Sequence, residues 1–120
     1  MSKGRLFKFM IDVLPINNSM DNFLFNIVKN RPRQEIYITG NKVKTNSLKK
    51  DDYIFIQSNG YITHYMKCKD DGPIFYNNNR DREISVKDIK KISNPIKSHF
   101  IGQGYNKLNE DEIKNILVQI

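Results

Sequence analysis

Apolar and polar positions alternate along this chain in short runs, and the period of the alternation changes from run to run. Between Arg5 and Val13, Phe7, Phe9, Ile11 and Val13 fall on one side and Lys8 and Asp12 on the other, which is strand spacing. Leu14-Pro15 closes that run. Asn17, Asn18 and Ser19 are good helix caps, and Met20, Phe23, Leu24, Ile27 and Val28 follow at helical spacing. This predicts an amphipathic helix of about three turns. Asn30-Arg31-Pro32-Arg33 ends it, because the residue before a proline avoids the helical region. Glu35 to Thr39 reads as a second strand, and Gly40-Asn41 as a turn.

The clearest signal is DDYIFIQSNGYITHYMKC, Asp51 to Cys68. Asn59-Gly60 sits between two apolar runs, and such a pair favours a tight hairpin because the turn needs positive φ at both central positions. The pattern predicts that Ser58 pairs with Tyr61, Ile56 faces Thr63 and Ile54 faces Tyr65. The other face would carry Tyr53, Phe55, Gln57, Ile62, His64 and Met66. Both faces are rich in apolar groups, whereas a hairpin wetted on one side alternates more cleanly. One face is therefore expected to be core, and the other to lie under a helix or line a cavity.

Pro73 to Tyr76 predicts a short strand, and Asn77 to Arg82 a solvated loop. Glu83 to Ile92 drifts from a period of two to three, which predicts a strand followed by a helical turn. Ser93-Asn94-Pro95 reads as a break, and Gly102 to Tyr105 as a tight turn. Asn109 caps a last helix with Glu110, Asp111 and Glu112 in its first turn, where carboxylates suit the helix dipole. Ile113, Ile116, Leu117 and Ile120 form its apolar stripe. The order of elements predicts one α+β domain over residues 1–120. Its core is a small, twisted, barrel-like β-sheet with one early and one C-terminal helix.

Composition adds a bias. The 120 residues carry a formal net charge of +7 and a pI near 9.5. A surplus of that size favours a polyanion partner through counterion release. Lysine outnumbers arginine, so a lysine-rich background composition is the competing explanation. The single cysteine, Cys68, excludes an intrachain disulfide and reads as a small buried hydrophobe. With His64 and His99 it cannot complete a zinc site of the usual Cys/His type, so no metal and no cofactor are expected. No apolar run reaches the ~18 residues that cross a bilayer. Charges interrupt the N-terminal apolar stretch, which argues against a signal peptide and for a cytoplasmic location.

The segment LKKDDYIFIQSNGYITHYMKC, with FKFMIDV, NSMDNFLFNIVKN and EIYITGNK before it and IFY, EISV and LNEDEIKNIL after it, resembles the PUA-like superfamily, in particular its EVE, YTH and ASCH branches. The resemblance spans most of the chain and implies a PUA-like pseudo-barrel that binds nucleic acid. It also implies a flipped or modified base held in an aromatic pocket. Tyr37 and Thr39 stand where the YTH pattern has its aromatic and hydroxyl residues, and Asn17 where a polar group reads the base edge. The chain has no tryptophan to complete a cage.

The candidate pocket is therefore Asn17, Tyr37, Thr39, Ser58 and Tyr61, converging near the hairpin tip. Stacking a base on an aromatic ring contributes about 1–3 kcal/mol. Each of these residues has a plainer reading as sheet surface, core or turn. The candidate phosphate contacts are Arg31, Arg33, Lys42, Lys44, Lys49, Lys50, Arg80 and Arg82. Arg31 and Arg33 stand out, since guanidinium forks suit phosphates and Pro32 stiffens their loop. No Ser-His-Asp order is apparent, and His64 in a strand reads as a satisfied structural histidine, so no catalysis is expected. The expected function is a nucleic-acid-binding module, for DNA or RNA, that reads a modified or flipped base. The alternative is a small non-enzymatic protein-interaction factor docking an acidic partner.

Overall fold

One long strand organises the sheet. The computed structural model describes residues 4–8, 20–39, 49–58, 60–71, 74–76, 81–97 and 105–120. Its elements are β1 (Gly4–Lys8), α1, β2 (Glu35–Thr39), β3 (Tyr53–Ser58), β4 (Tyr61–Cys68), β5 (Ile74–Tyr76), β6 (Asp81–Lys97), β7 (Tyr105–Leu108) and α2 (Glu110–Leu117). Helix α1 starts as an α-helical turn at Met20–Asn22 and continues as a π-helical stretch over Phe23–Val28. Its last turn is closed by the Lys29 N–H, which donates to the Leu24 carbonyl five residues back at 3.1 Å.

The strands form one seven-stranded sheet in the order β2-β6-β4-β3-β1-β7, with β5 also on β6. Pairing is antiparallel except between β1 and β3. The first residues of β6 pair with β2 on one side and β5 on the other, and its later residues pair with β4. The architecture is α+β with a curled sheet.

The helices cover opposite faces of the hairpin β3–β4. On one face, Met20, Leu24 and Val28 of α1 pack with Ile36, Ile54, Ile56, Met66, Cys68, Ile84 and Val86. On the other, Ile113 and Ile116 of α2 pack with Phe55, Ile62, Ile92, Ile96 and Leu108. Two apolar hairpin faces thus have two apolar covers. Burying each large aliphatic side chain contributes about 1.5–3 kcal/mol. Helix α2 is held at its start by a reciprocal cap. Asn109 accepts from the Glu112 N–H at 2.8 Å, and Glu112 accepts from the Asn109 N–H at 3.0 Å.

Three expectations need correction. The first concerns register. Ser58 does pair with Tyr61 and Gly60 has φ +80°, as the hairpin signal requires. Beyond Ile62 the ladder slips by one: Gln57 pairs with Ile62, but Ile56 pairs with His64 and Ile54 with Met66. Thr63 is the extra residue of a β-bulge. A one-residue slip moves every later side chain to the other face. His64 and Met66 therefore join Ile54 and Ile56, and Tyr65 joins Phe55.

Second, residues 83–97 form neither a helical turn nor a break. The drift in period comes from bulges in β6. Asp88, with φ +54°, lies in the first, so Val86 and Ile89 face the same core three residues apart. The second places Lys91 opposite His64 and Ile96 opposite Ile62, and it holds Pro95, which has no N–H for a ladder.

Third, Asp81 and Arg82 belong to β6 rather than to a loop, and Tyr105–Leu108 is a strand on β1 rather than the end of a turn. Phe9 to Val13, Asn77 to Arg80 and Gly102 to Gly104 lie outside the described residues.

Candidate functional site

The expected phosphate contacts separate into two kinds. Arg31 and Arg33 serve the fold. The Arg31 Nη1 donates to the Glu35 carbonyl at 2.8 Å, and the guanidinium lies 5.7 Å from the centroid of the Phe23 ring. The Arg33 guanidinium pairs with the carboxylate of Glu83, which is buried, and the Arg33 N–H donates to Glu35 Oε2 at 3.0 Å. These contacts tie the turn after α1 to β2 and β6. Arg31 thus holds a backbone carbonyl, and the exposed Arg33 holds a buried carboxylate. Lys49 and Lys50 are exposed. Arg82 is on β6 opposite Ile38, and Lys42, Lys44 and Arg80 lie outside the described residues.

The expected pocket does not assemble around the hairpin tip. Tyr37 pairs with Glu83 near the start of β6, and Thr39 with Asp81. Tyr61 pairs with Lys97 at the far end of the same strand, with Ser58 beside it across the hairpin. The register thus sets Tyr37 and Thr39 at one end of β6 and Ser58 and Tyr61 at the other. Tyr61 is exposed. Asn17 lies outside the described residues.

Two other groupings stand out. The first is a strip of rings and lysines on the α2 face of the sheet. Tyr53 and Phe55 stack at 5.8 Å between centroids and 16° between planes, and Phe55 and Tyr65 at 6.4 Å and 30°. Phe55 is buried, whereas Tyr53 and Tyr65 are half-buried at the border of the α2 core. Lys67 pairs with Tyr53 across the strands, and its Nζ lies 5.3 Å from that ring's centroid. Lys87 pairs with Lys67, and Lys90 with Tyr65. Lys90 is exposed, and Lys87 is bonded to Asp51 at 2.5 Å. That bond raises the Lys87 pKa and lowers that of Asp51.

The second grouping crosses the other face. His64 Nε2 lies 2.6 Å from Asp21 Oδ1, and its Nδ1 lies 2.7 Å from Thr63 Oγ1. Lys91 Nζ donates to Asp21 Oδ2 at 2.7 Å. His64 is buried, with the Phe25 ring 5.9 Å away. Burial pushes the His64 pKa below its ordinary value, and the Asp21 carboxylate opposes this only in part. The hydrogen bond from Lys91 lowers the pKa of Asp21, so that group is an anion at neutral pH. Both ring nitrogens are paired, as the sequence reading of a satisfied histidine expects.

Sequence reasoning missed Asp21, Thr63 and Lys91, because only the bulge at Thr63 brings them together and alternation carries no trace of it. The Tyr53–Tyr65 strip had a usable signal, since aromatics two apart in one strand opposite an aromatic in the next share a face.

Among the described residues, no group of three or more His, Cys, Asp or Glu is placed to hold a metal ion. No described helix is long and apolar enough to cross a membrane. Comparison with protein-family models, with curated proteins and with solved structures finds no match for the chain.

Proposed function

We propose that the protein is a nucleic-acid-binding module whose interface is the strip built from Tyr53, Tyr65, Lys67, Lys87 and Lys90. The observation that carries this reading is the interleaving of half-buried rings with lysines on one sheet face. Rings offer stacking surfaces that tolerate any base, and lysines beside them supply positive charge for a phosphate backbone. The net charge of +7 supports the same partner. The PUA-like relationship is part of the proposal. It rests on the order of the early strand and helix, the central hairpin and the closing helix, together with the curled sheet. The proposal does not extend to a base pocket shared by Tyr37 and Tyr61, given their separation along β6.

The test is binding of labelled single- and double-stranded DNA and RNA, followed by fluorescence anisotropy at several salt concentrations. Tyr53→Ala with Tyr65→Ala should weaken single-strand binding by about tenfold or more, as the loss of one or two stacked bases implies. Lys67→Glu with Lys90→Glu should weaken binding and flatten its salt dependence. Equal affinity in all variants would remove the strip as the interface. Recovery of one stoichiometric acidic protein, with no nucleic acid above background at physiological salt, would favour the protein-docking alternative.

A further inference from the structure

We propose that Thr63 is an acyl-accepting nucleophile, with His64 as its general base and Asp21 as the residue that positions the imidazole. The argument starts from the bulge. Consecutive residues in a regular strand point to opposite faces, but Thr63 is the unpaired extra residue between Ile62 and His64. Its hydroxyl is therefore able to turn toward the His64 ring, and Oγ1 lies 2.7 Å from Nδ1.

The protons then have only one consistent arrangement in the neutral imidazole. An ionised carboxylate accepts and cannot donate. Lys91 donates to Asp21 Oδ2 at 2.7 Å, which fixes the carboxylate and favours its charge. Asp21 Oδ1 is 2.6 Å from His64 Nε2, so Nε2 carries the ring proton and donates it. That leaves Nδ1 with a lone pair, and the Thr63 hydroxyl donates to it. A hydroxyl facing a basic nitrogen, whose other nitrogen is held by a carboxylate, is the arrangement that activates a weak oxygen nucleophile. The groups around the ring are Asp21 and Phe25 from α1, Thr63 on its own strand, and Lys91 from β6. His64 is buried and Thr63 is only half-buried, so the base is sheltered and the nucleophile remains within reach of a small molecule.

The substrate class is small carboxylic esters and comparably activated acyl compounds. Oγ1 forms a bond to the carbonyl carbon as its proton passes to Nδ1. The bond from that carbon to the leaving oxygen breaks, and this oxygen takes the electron pair and then the proton from Nδ1. Water next adds to the threonine ester while giving a proton to Nδ1. The Oγ1–carbon bond breaks and Oγ1 recovers that proton. The sum is ester plus water giving acid plus alcohol, with no other reactant. This inference stands apart from the nucleic-acid reading, since it uses the opposite face of the sheet.

The experiment treats the full chain with p-nitrophenyl acetate, follows p-nitrophenol release, and maps acetylated peptides by tandem mass spectrometry. The expected result is acetylation of Thr63 and release about 100-fold faster than in Thr63→Val, the size typical of general-base assistance. Thr63→Ser should retain the reaction. The rate should rise with pH as the imidazole loses its proton, and this rise should vanish in His64→Gln. Surface lysines also react with this ester, so the location of the label is decisive. Acetyl groups on lysines alone, or equal release by Thr63→Val, would overturn the proposal. Peptide mapping of the unaltered chain decides the matter if a variant fails to fold.

Discussion

Ile62 and His64 are two residues apart in β4, yet they serve opposite faces of the sheet. Ile62 packs in the core beneath α2, and His64 bonds to Asp21 of α1. The bulge at Thr63 accounts for this. Deleting Thr63 should therefore preserve the facing of the hairpin. Gln57–Ile62 and Ile56–His64 would become successive pairs of a regular ladder, with Met66 and Cys68 still directed to the α1 core. The loss expected is that of the Thr63–His64 hydrogen bond, about 1 kcal/mol. Urea unfolding followed by circular dichroism should show one cooperative transition with a slightly lower midpoint. Inserting a residue after Thr63 should do more damage, because a regular ladder would then keep the facing but slide His64 and Met66 two positions along β3, away from their partners Ile56 and Ile54.

Arg33→Ala should destabilise the fold rather than simply remove a surface charge. It leaves the Glu83 carboxylate buried without the guanidinium. Breaking a fully buried pair costs roughly 3–5 kcal/mol, and the half-exposed Arg33 side chain reduces this to about 2 kcal/mol through solvent screening. Glu83→Gln in the Arg33→Ala background should recover part of the loss, since it removes the uncompensated charge. Lys50→Ala is the control and should shift the denaturation midpoint little. No recovery in the double variant would show that Arg33 acts through contacts other than Glu83. A charge reversal at Arg31 and Arg33 is accordingly a poor probe of nucleic-acid binding.

The Asn109 cap offers a cleaner measure of α2. Asn109→Ala removes the side-chain acceptor for the Glu112 N–H and half of the reciprocal cap. A cost of about 1 kcal/mol is expected. Asn109→Asp should retain most of the stability, because a carboxylate caps equally well and suits the helix dipole. Thermal unfolding of the three proteins checks this. A cost near zero for alanine would mean that packing of Ile113 and Ile116 alone holds the helix.

What was legible in the sequence was local. Asn59-Gly60 marked the hairpin, Asn109 marked the start of α2, and the helical spacing of Met20, Leu24 and Val28 marked the face that α1 buries. The bulges were not legible, and the reason is geometric. Every second residue of β4 from Ile62 to Cys68 is buried, without interruption. Because both faces are covered, burial alternates evenly across the bulge while the destination of the side chains changes. No polarity pattern distinguishes one core from the other. The same blindness hid the Asp21–His64–Thr63 chain and the true course of β6. The contacts of Arg31 and Arg33 within the fold were not legible for a different reason. Their partners, Glu35 and Glu83, are strand residues whose burial depends on tertiary packing and not on neighbouring sequence.

Stability should fall as the pH drops below about 6.5, the ordinary histidine value. Burial lowers the pKa of His64 in the folded chain, so the imidazole is neutral there while the unfolded chain takes up a proton near pH 6.5. The unfolded state then binds more protons, and the free energy of unfolding decreases with falling pH until the folded-state pKa is reached. Asp21 and Asp51 are shifted in the opposite sense relative to their charge: both lie below the ordinary 3.8, so their contribution is lost only in more acidic solution. Urea midpoints measured from pH 7 to pH 5 should fall in the native chain and stay nearly level in His64→Gln. Asp21→Asn should widen the His64 window downward, because the carboxylate is the group that supports protonation of that ring. A midpoint that rises on acidification from pH 7 to pH 5 would mean that Asp21 outweighs burial and that His64 is held as a cation in the fold.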